Sequence, residues 1–259
     1  MNKKMTGILA LVIFLAFAGV GWAKRPVKVE VGGGDARVSL LEGSAELRPA
    51  GATEWKSLNV DALLKGGDQV KTGDQSRIEL ILPDSSRLRF AGNTRFQITN
   101  LDVAKGMERR NVKIHLVLGR TWANVTQTLG VKSGFELTSE NAVAGVRGTV
   151  YRMNVNDDQS ALVRVYDGEV AVSGGGEVPS EKGPPSPIYT TPHKVEGPKP
   201  VPGPRKVSME EWVYIVKSMQ QIRVGADGVA EPPRAFTEAE DRDPWVDWNK
   251  ERDAVPVQQ

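Results

Sequence analysis

Two histidines, His115 and His193, are the only imidazoles in the 259 residues, and there is no cysteine. His115 stands on the polar phase of an alternating run and His193 in a proline-rich stretch. Neither has a second ligand at metal spacing, so the parts for metal or nucleophilic chemistry are missing. The acid pairs Asp157-Asp158 and Glu210-Glu211 fall in a turn and at a helix start. Solvated or capping roles are their default, and nothing suggests two carboxylates converging on a glycosidic bond. Val146-Arg147-Gly148-Thr149 lacks the lysine and the spacing of a phosphate loop. Without thiols there are no disulfides, no thiolate metal sites and no lipid attached through cysteine. The expectation is no catalysis, no cofactor and no metal, which leaves the chemistry of binding.

For binding, the aromatic residues are the candidates. Trp212, Trp245 and Trp248 cluster toward the C-terminus, and tryptophan is favoured at the energetic centres of protein interfaces. A second set, Trp55, Trp122 and Tyr151, could stack on sugars. Trp55 alternates with Ser57 and Asn59, and Trp122 with Arg120 and Asn124, so both are expected to be partly exposed.

The elements that position these residues follow from composition and periodicity. Residues 1–23 read as an export signal: Lys3 and Lys4, an apolar run from Ile8 to Val20, and Gly21-Trp22-Ala23 as the cleavage site, with an uncleaved anchor as the alternative. The apolar run is short for a membrane span, so the exported protein is expected to be periplasmic and not stably inserted in a membrane. The formal charge of +2 is carried entirely by Lys3 and Lys4, which removes the support for nucleic-acid binding. Residues 24–173 carry a net +3 and residues 174–259 a net −3. That balance is compatible with the tail folding back onto the domain.

Residues 35–173 alternate with period two in run after run, as in Arg77 to Leu82, Arg87 to Phe90, Val112 to Leu118, Thr149 to Val155 and Ala161 to Tyr166. Turn residues at Lys65-Gly66-Gly67-Asp68, Pro83-Asp84-Ser85-Ser86, Asn156-Asp157-Asp158 and Asp167-Gly168 separate the runs. The predicted class is all-β, a sandwich or jelly-roll-like domain, with a longer exposed loop between Asn100 and Asn111. Residues 174–206 hold nine prolines from Pro179 to Pro204 and read as a Pro/Gly-rich linker. The tail, 207–253, is predicted helical. Ser208-Met209-Glu210-Glu211 is a capping box, and Met209, Trp212, Val213, Val216, Met219 and Ile222 form an apolar stripe to about Val224. Asp243-Pro244 opens a second helix with Trp245 and Trp248 on one face. Both segments are expected either to pack on the β domain or to dock a separate protein.

Within the β region the residues resemble a family. Gly67-Asp68-Gln69-Val70-Lys71-Thr72-Gly73, then Ser76, Ile78 to Leu82 and Asp84-Ser85-Ser86, are similar to the first half of the FecR domain. Phe135 to Thr138, Ala142 to Thr149 and Val163 to Val170 are similar to its second half. Ser86 stands where the family usually has glycine and Tyr151 where it has phenylalanine. Of the motif residues, Gly67 and Gly73 are expected to close turns, and Asp68 and Thr72 to satisfy neighbouring backbone donors. Gly148, Thr149 and Gly168 belong to the same structural set. Arg147, in an apolar strand context, is expected to be a clamp on a carboxylate or carbonyls, with a ligand surface as the alternative.

The resemblance also implies a role. FecR proper is a membrane-spanning regulator that passes a ligand signal to a cytoplasmic sigma factor through an N-terminal domain. Seven residues precede the apolar run here, so the expectation is a stand-alone extracytoplasmic module without the anti-sigma region. Its expected function is that of a protein-binding, scaffold or signalling-input module of the cell envelope with an envelope protein as partner. The alternative is a sensor of envelope polysaccharide or peptidoglycan.

Overall fold

The computed structural model describes residues 34–103, 109–127, 132–175 and 213–254. Among these the chain forms seventeen strands: Ala36–Glu42 (β1), Ala45–Arg48 (β2), Lys56–Ser57 (β3), Leu63–Leu64 (β4), Gln69–Thr72 (β5), Arg77–Ile81 (β6), Arg87–Phe90 (β7), Arg95–Val103 (β8), Arg109–Val125 (β9), Lys132–Thr138 (β10), Ala142–Val146 (β11), Thr149–Val155 (β12), Ala161–Asp167 (β13), Glu169–Gly174 (β14), Val213–Lys217 (β15), Gln220–Val224 (β16) and Arg234–Ala235 (β17). A 3-10 turn, Ala239–Asp241, and one α-helix, Pro244–Ala254 (α1), follow. The all-β class read from the sequence is the observed one, with a short helix at the end.

The strands form two layers that share β9. The front layer runs β4-β1-β6-β7-β9-β12-β13-β16-β17 and the back layer β3-β2-β5-β8-β9-β10-β11-β14-β15. The first part of β9, to Leu118, pairs with β8, and from Gly119 onward it pairs with β12. Gly119 has φ +107°, and a Cβ there would stand 2.6 Å from Thr94 Cα. Only glycine lets the strand leave one layer for the other at that point.

Alternation decides what lies between the layers. Ile78, Leu80, Leu88, Phe90, Phe96, Met153, Val163, Val165 and Val170 turn inward and are fully buried in one continuous core. Phe90 of the front layer stacks on Phe96 of the back layer with centroids 3.7 Å apart. Tyr151 lies in this core, 0% exposed, so it is not available to a sugar, and burial raises its hydroxyl pKa. The outward residues of the same strands are the ones available for function.

Two expectations about elements are corrected. The stretch from Asn100 to Asn111 is not simply a loop: β8 continues to Val103, β9 begins at Arg109, and Arg110 is buried, its Nη1 donating to Asp84 Oδ2 at 2.7 Å. The helix expected to run to Val224 is instead two strands, β15 on the back layer and β16 on the front, joined through Met219 at φ +60°. Val213, Tyr214, Ile215 and Val216 are β-branched or aromatic, and the free edges of β14 and β13 offered them backbone partners, which overrides helical spacing. The capping box Ser208 to Glu211 lies outside the described residues, as do Trp212, His193, residues 1–23 and residues 176–206.

Candidate functional site

The register of the front layer places one outward residue from each of seven strands in a single transverse row: Glu79, Arg89, Trp122, Arg152, Arg164, Gln221 and Arg234. Read along each strand these are the polar phase, so they ought to face water. All but Arg234 at the sheet edge are buried. Like charges directly opposite one another, as Arg152 and Arg164 are, destabilise a sheet unless an anion lies between them.

The C-terminal segment supplies the anions. Asp241, in the 3-10 turn, accepts from Arg152 Nε at 3.1 Å and also pairs with Arg152 Nη2, Arg164 Nη1 and the Tyr166 hydroxyl. Burial pushes the Asp241 carboxyl up, but hydrogen bonds from Arg152 and Tyr166 and the charges of Arg152 and Arg164 outweigh it and leave the pKa lowered. Helix α1 covers the other half of the row. Arg89 Nη2 lies 2.8 Å from Asp253, Trp122 Nε1 donates to Asp253 Oδ2 at 2.8 Å, and Arg252 reaches both oxygens of Glu79 at 2.9 and 2.8 Å. Glu79 also accepts from Arg89 Nε at 2.6 Å and from Ser39 at 2.7 Å. Burial raises its pKa, and the Arg252, Arg89 and Ser39 hydrogen bonds overcome that and hold it at about 2.

Local sequence explains why α1 forms there. Asp243 Oδ1 accepts from the backbone N–H of Trp245 at 2.8 Å and of Val246 at 3.0 Å, with Pro244 at the first helical position. One turn then sends Trp245 and Val246 into a second apolar cluster with Ala91 and Trp122, flanked by Trp248. The two indoles stack at 5.3 Å. Trp245 is 6% exposed and Trp248 half-buried, so this pair docks the chain's own tail and is not a free surface for another protein. Trp122, expected to be partly exposed, is 1% exposed beneath that tail.

The back layer has a comparable row: Arg48, Gln69, Gln97, His115, Thr138, Val143, Ser173 and Val213. Its members are neutral apart from Arg48, and all but buried Val143 are partly or fully exposed. His115 Nδ1 lies 3.1 Å from Thr138 Oγ1, and burial lowers its pKa, which keeps it neutral. At the β15 end the face is apolar, with Val213 60% and Ile215 49% exposed beside Ala171 and Gly145. At the other end Trp55 immediately precedes β3, half-buried, with Arg48 and Lys71 over its ring at 5.0 and 4.7 Å. Beside it a shallow cleft of about 500 Å³ is lined by Arg48, the loop 49–53, Gly67, Gln69 and Gln97.

The motif residues frame these rows. Asp68 accepts from Lys65 N at 2.9 Å and Ala50 N at 3.0 Å, so it fixes the loop that walls the cleft. Gly67 has φ +95°, whereas Gly73 does not lie in the left-handed region: a Cβ on Gly73 would meet Ser44 Oγ at 2.4 Å, so close approach and not turn geometry requires glycine there. Thr72 Oγ1 donates to Ala91 O at 2.7 Å and accepts from Thr94 N at 2.9 Å. Gly148 and Gly168 have φ +79° and +85°, and Thr149 Oγ1 donates to Glu169 O at 3.0 Å. Ser86, in the usual glycine position, is buried, donates to Asp84 Oδ2 at 2.8 Å and accepts from Thr126 N at 3.0 Å. Arg147 is exposed and its side chain bonds to no other described residue, so the clamp expected of it is not formed there. The clamps are Arg89, Arg110, Arg152 and Arg164, which the sequence reading passed over. The signal for Arg89, Arg152 and Arg164 was an outward phase bearing arginine on β7, β12 and β13, together with a tail rich in aspartate and tryptophan, whereas Arg110 lies on the inward phase of β9 with Val112 and Ile114.

Residues 68–171 match the family model FecR protein. The chain carries a FecR domain. The match begins at the motif Asp68 and ends in β14, so it takes in the front row from Glu79 to Arg164 and the back row from Gln69 to Val143, but neither the outer members of the two rows nor the C-terminal segment that closes the front one. No curated protein matches the chain. Two crystal structures of a candidate anti-sigma factor from Parabacteroides distasonis ATCC 8503, at 2.50 and 1.65 Å resolution, are similar at 15% and 16% identity, each with a TM-score of 0.43 over 64% of this chain. The chain spans 59% of the length of those structures. Among the described residues of the FecR domain and its tail, no group of three or more His, Asp or Glu is placed to hold a metal, and no helix is long and apolar enough to cross a membrane.

Proposed function

We propose that this FecR-domain chain is a non-catalytic, exported module that receives input by binding an envelope protein on the outer face of its back layer. One observation carries the reading. The front face is closed by the chain's own tail through buried ion pairs, while the back face is open and ends in β15, whose outward residues Val213 and Ile215 are the exposed apolar side chains of that strand. Among the described residues β15 pairs only with β14, and a strand edge flanked by apolar side chains is a common docking element. The export signal read in residues 1–23 supports a location outside the cytoplasm.

A photo-crosslinking residue in place of Ile215, in the cell of origin, tests this. The expected result is a discrete protein adduct in the envelope fraction that disappears with Val213→Asp and is absent when the crosslinker replaces exposed Arg147. Crosslinking no stronger at 215 than at 147, or accumulation of the chain in the cytoplasm, would refute the reading.

A further inference from the structure

The opposite end of the same face has a different chemistry. Arg48, Gln69 and Gln97 line the cleft of about 500 Å³, whose side chains include no carboxylate, and Trp55 adjoins it through Arg48, which lies over the indole at 5.0 Å. The indole is held by two cations that both rise from the sheet, Arg48 from β2 and Lys71 from β5. The indole stays half-exposed beside the surface of β2 and β5. Lys71 is paired with Glu46 at 2.6 Å, which leaves Arg48 as the uncompensated charge of the cleft. Gln69 Oε1 already accepts from Arg48 Nη2, which leaves its amide N–H groups as donors, and Gln97 is oriented by its bond to Gly67 O at 3.3 Å with its amide oxygen as an acceptor. From Trp55 the row continues through His115 to Thr138, across about 24 Å at the usual strand spacing.

We infer that this cleft binds an acidic polysaccharide strand. A sugar ring is amphipathic in the way the cleft is. Its axial C–H face lies against an indole, its hydroxyls take amide hydrogen bonds, and a uronic carboxylate pairs with a guanidinium. A straight ladder of neutral polar side chains suits an extended chain of several sugar units and offers little to a compact ligand. The motif pair Gly67-Asp68 acquires a purpose beyond turn closure, because Asp68 holds the Ala50 wall and Gly67 O holds Gln97. The inference does not rest on the protein-partner reading, which concerns the β15 end.

Isothermal titration of the full chain with tetragalacturonate, and with chitotetraose as a neutral comparator, tests it. Tetragalacturonate is expected to bind at least ten-fold more tightly than chitotetraose, and the binding to weaken with added salt. Trp55→Ala, Arg48→Gln and Gln97→Ala are each expected to weaken it at least ten-fold, while Ile215→Asp leaves it unchanged. The melting temperature of each variant is measured alongside, and Gln97→Ala, at a half-buried surface position, carries the test if Trp55→Ala unfolds. Absence of binding to tetragalacturonate, equal binding of the neutral tetramer, or affinity retained in both Trp55→Ala and Gln97→Ala would overturn the inference. So would a crosslinker at Thr53 that traps a protein in cells.

Discussion

Two rows of side chains cross this molecule on opposite faces, built by the same alternation on layers that share β9, and they have opposite fates. The front row holds Glu79, Arg89, Trp122, Arg152, Arg164, Gln221 and Arg234, and is roofed by residues from Phe236 to Asp253. The back row holds Gln69, Gln97, His115 and Thr138 in the same positions relative to its layer, and these are partly exposed. Adjacent guanidiniums need anions between them, whereas amides, hydroxyls and a neutral imidazole are satisfied by water. Charge within the row, more than apolarity, thus decides which face the chain closes for itself and which it leaves for something else.

The comparison can be broken most severely by ending the chain at residue 237. Loss of Asp241, Trp245 and Asp253 would leave three buried arginines and Trp122 uncovered, and stability is expected to fall by about 5 kcal/mol or more, read as a collapsed urea midpoint or insolubility. A midpoint unchanged from the full chain would show that the roof is incidental. Asp241→Asn strikes the single carboxylate shared by Arg152, Arg164 and Tyr166. Removing one partner of a buried pair leaves uncompensated charge, and a loss of about 3–5 kcal/mol is expected in denaturant melts.

The pH dependence follows from the same roof. The folded pKa of Glu79, about 2, lies below its ordinary 4.5, so its contribution is complete above pH 4.5 and is lost as pH falls toward 2. Acid should therefore cost the wild type on the order of 3 kcal/mol more across that window than it costs Glu79→Gln. Parallel acid melts for the two proteins would contradict the assignment. On the back row Gln97→Leu is expected to cost only about 1 kcal/mol, since one half-buried hydrogen bond to Gly67 O is lost. A loss as large as that of Asp241→Asn would abolish the contrast between the faces. Arg147→Met, at an exposed position, is expected to stay within about 0.5 kcal/mol of wild type in a thermal melt.

Much of the layer structure was legible because period two is a local signal: Ile78 and Leu80, Leu88 and Phe90, Val163 and Val165 declare an inner face without reference to any partner. Asp243-Pro244 was legible for the same reason, since a cap is made with residues two and three positions on. The strand pair at Val213 and Gln220 was not, because its spacing fits helix and strand alike, and the edges of β14 and β13 made the choice. Tyr151 shares the inward phase of Met153 and Val155 and is buried between the layers, whereas Trp122 is on an outward phase and is buried all the same. Alternation shows which side of a strand a residue takes, but it does not show whether another segment, a hundred residues on, covers that side.

By itself the sequence determined the two-faced strands, the motif turns around Gly67, Gly148 and Gly168, the helix cap at Asp243, and the opposite charge of domain and tail. All of these are fixed by interactions a few residues apart or by composition. The tertiary structure alone decided that Arg89, Arg152 and Arg164 fall in one register, that Asp241 and Asp253 meet them, and that the Trp55 end of the other face stays open. Register and coverage depend on which strands become neighbours, and that is settled by the packing of the whole chain.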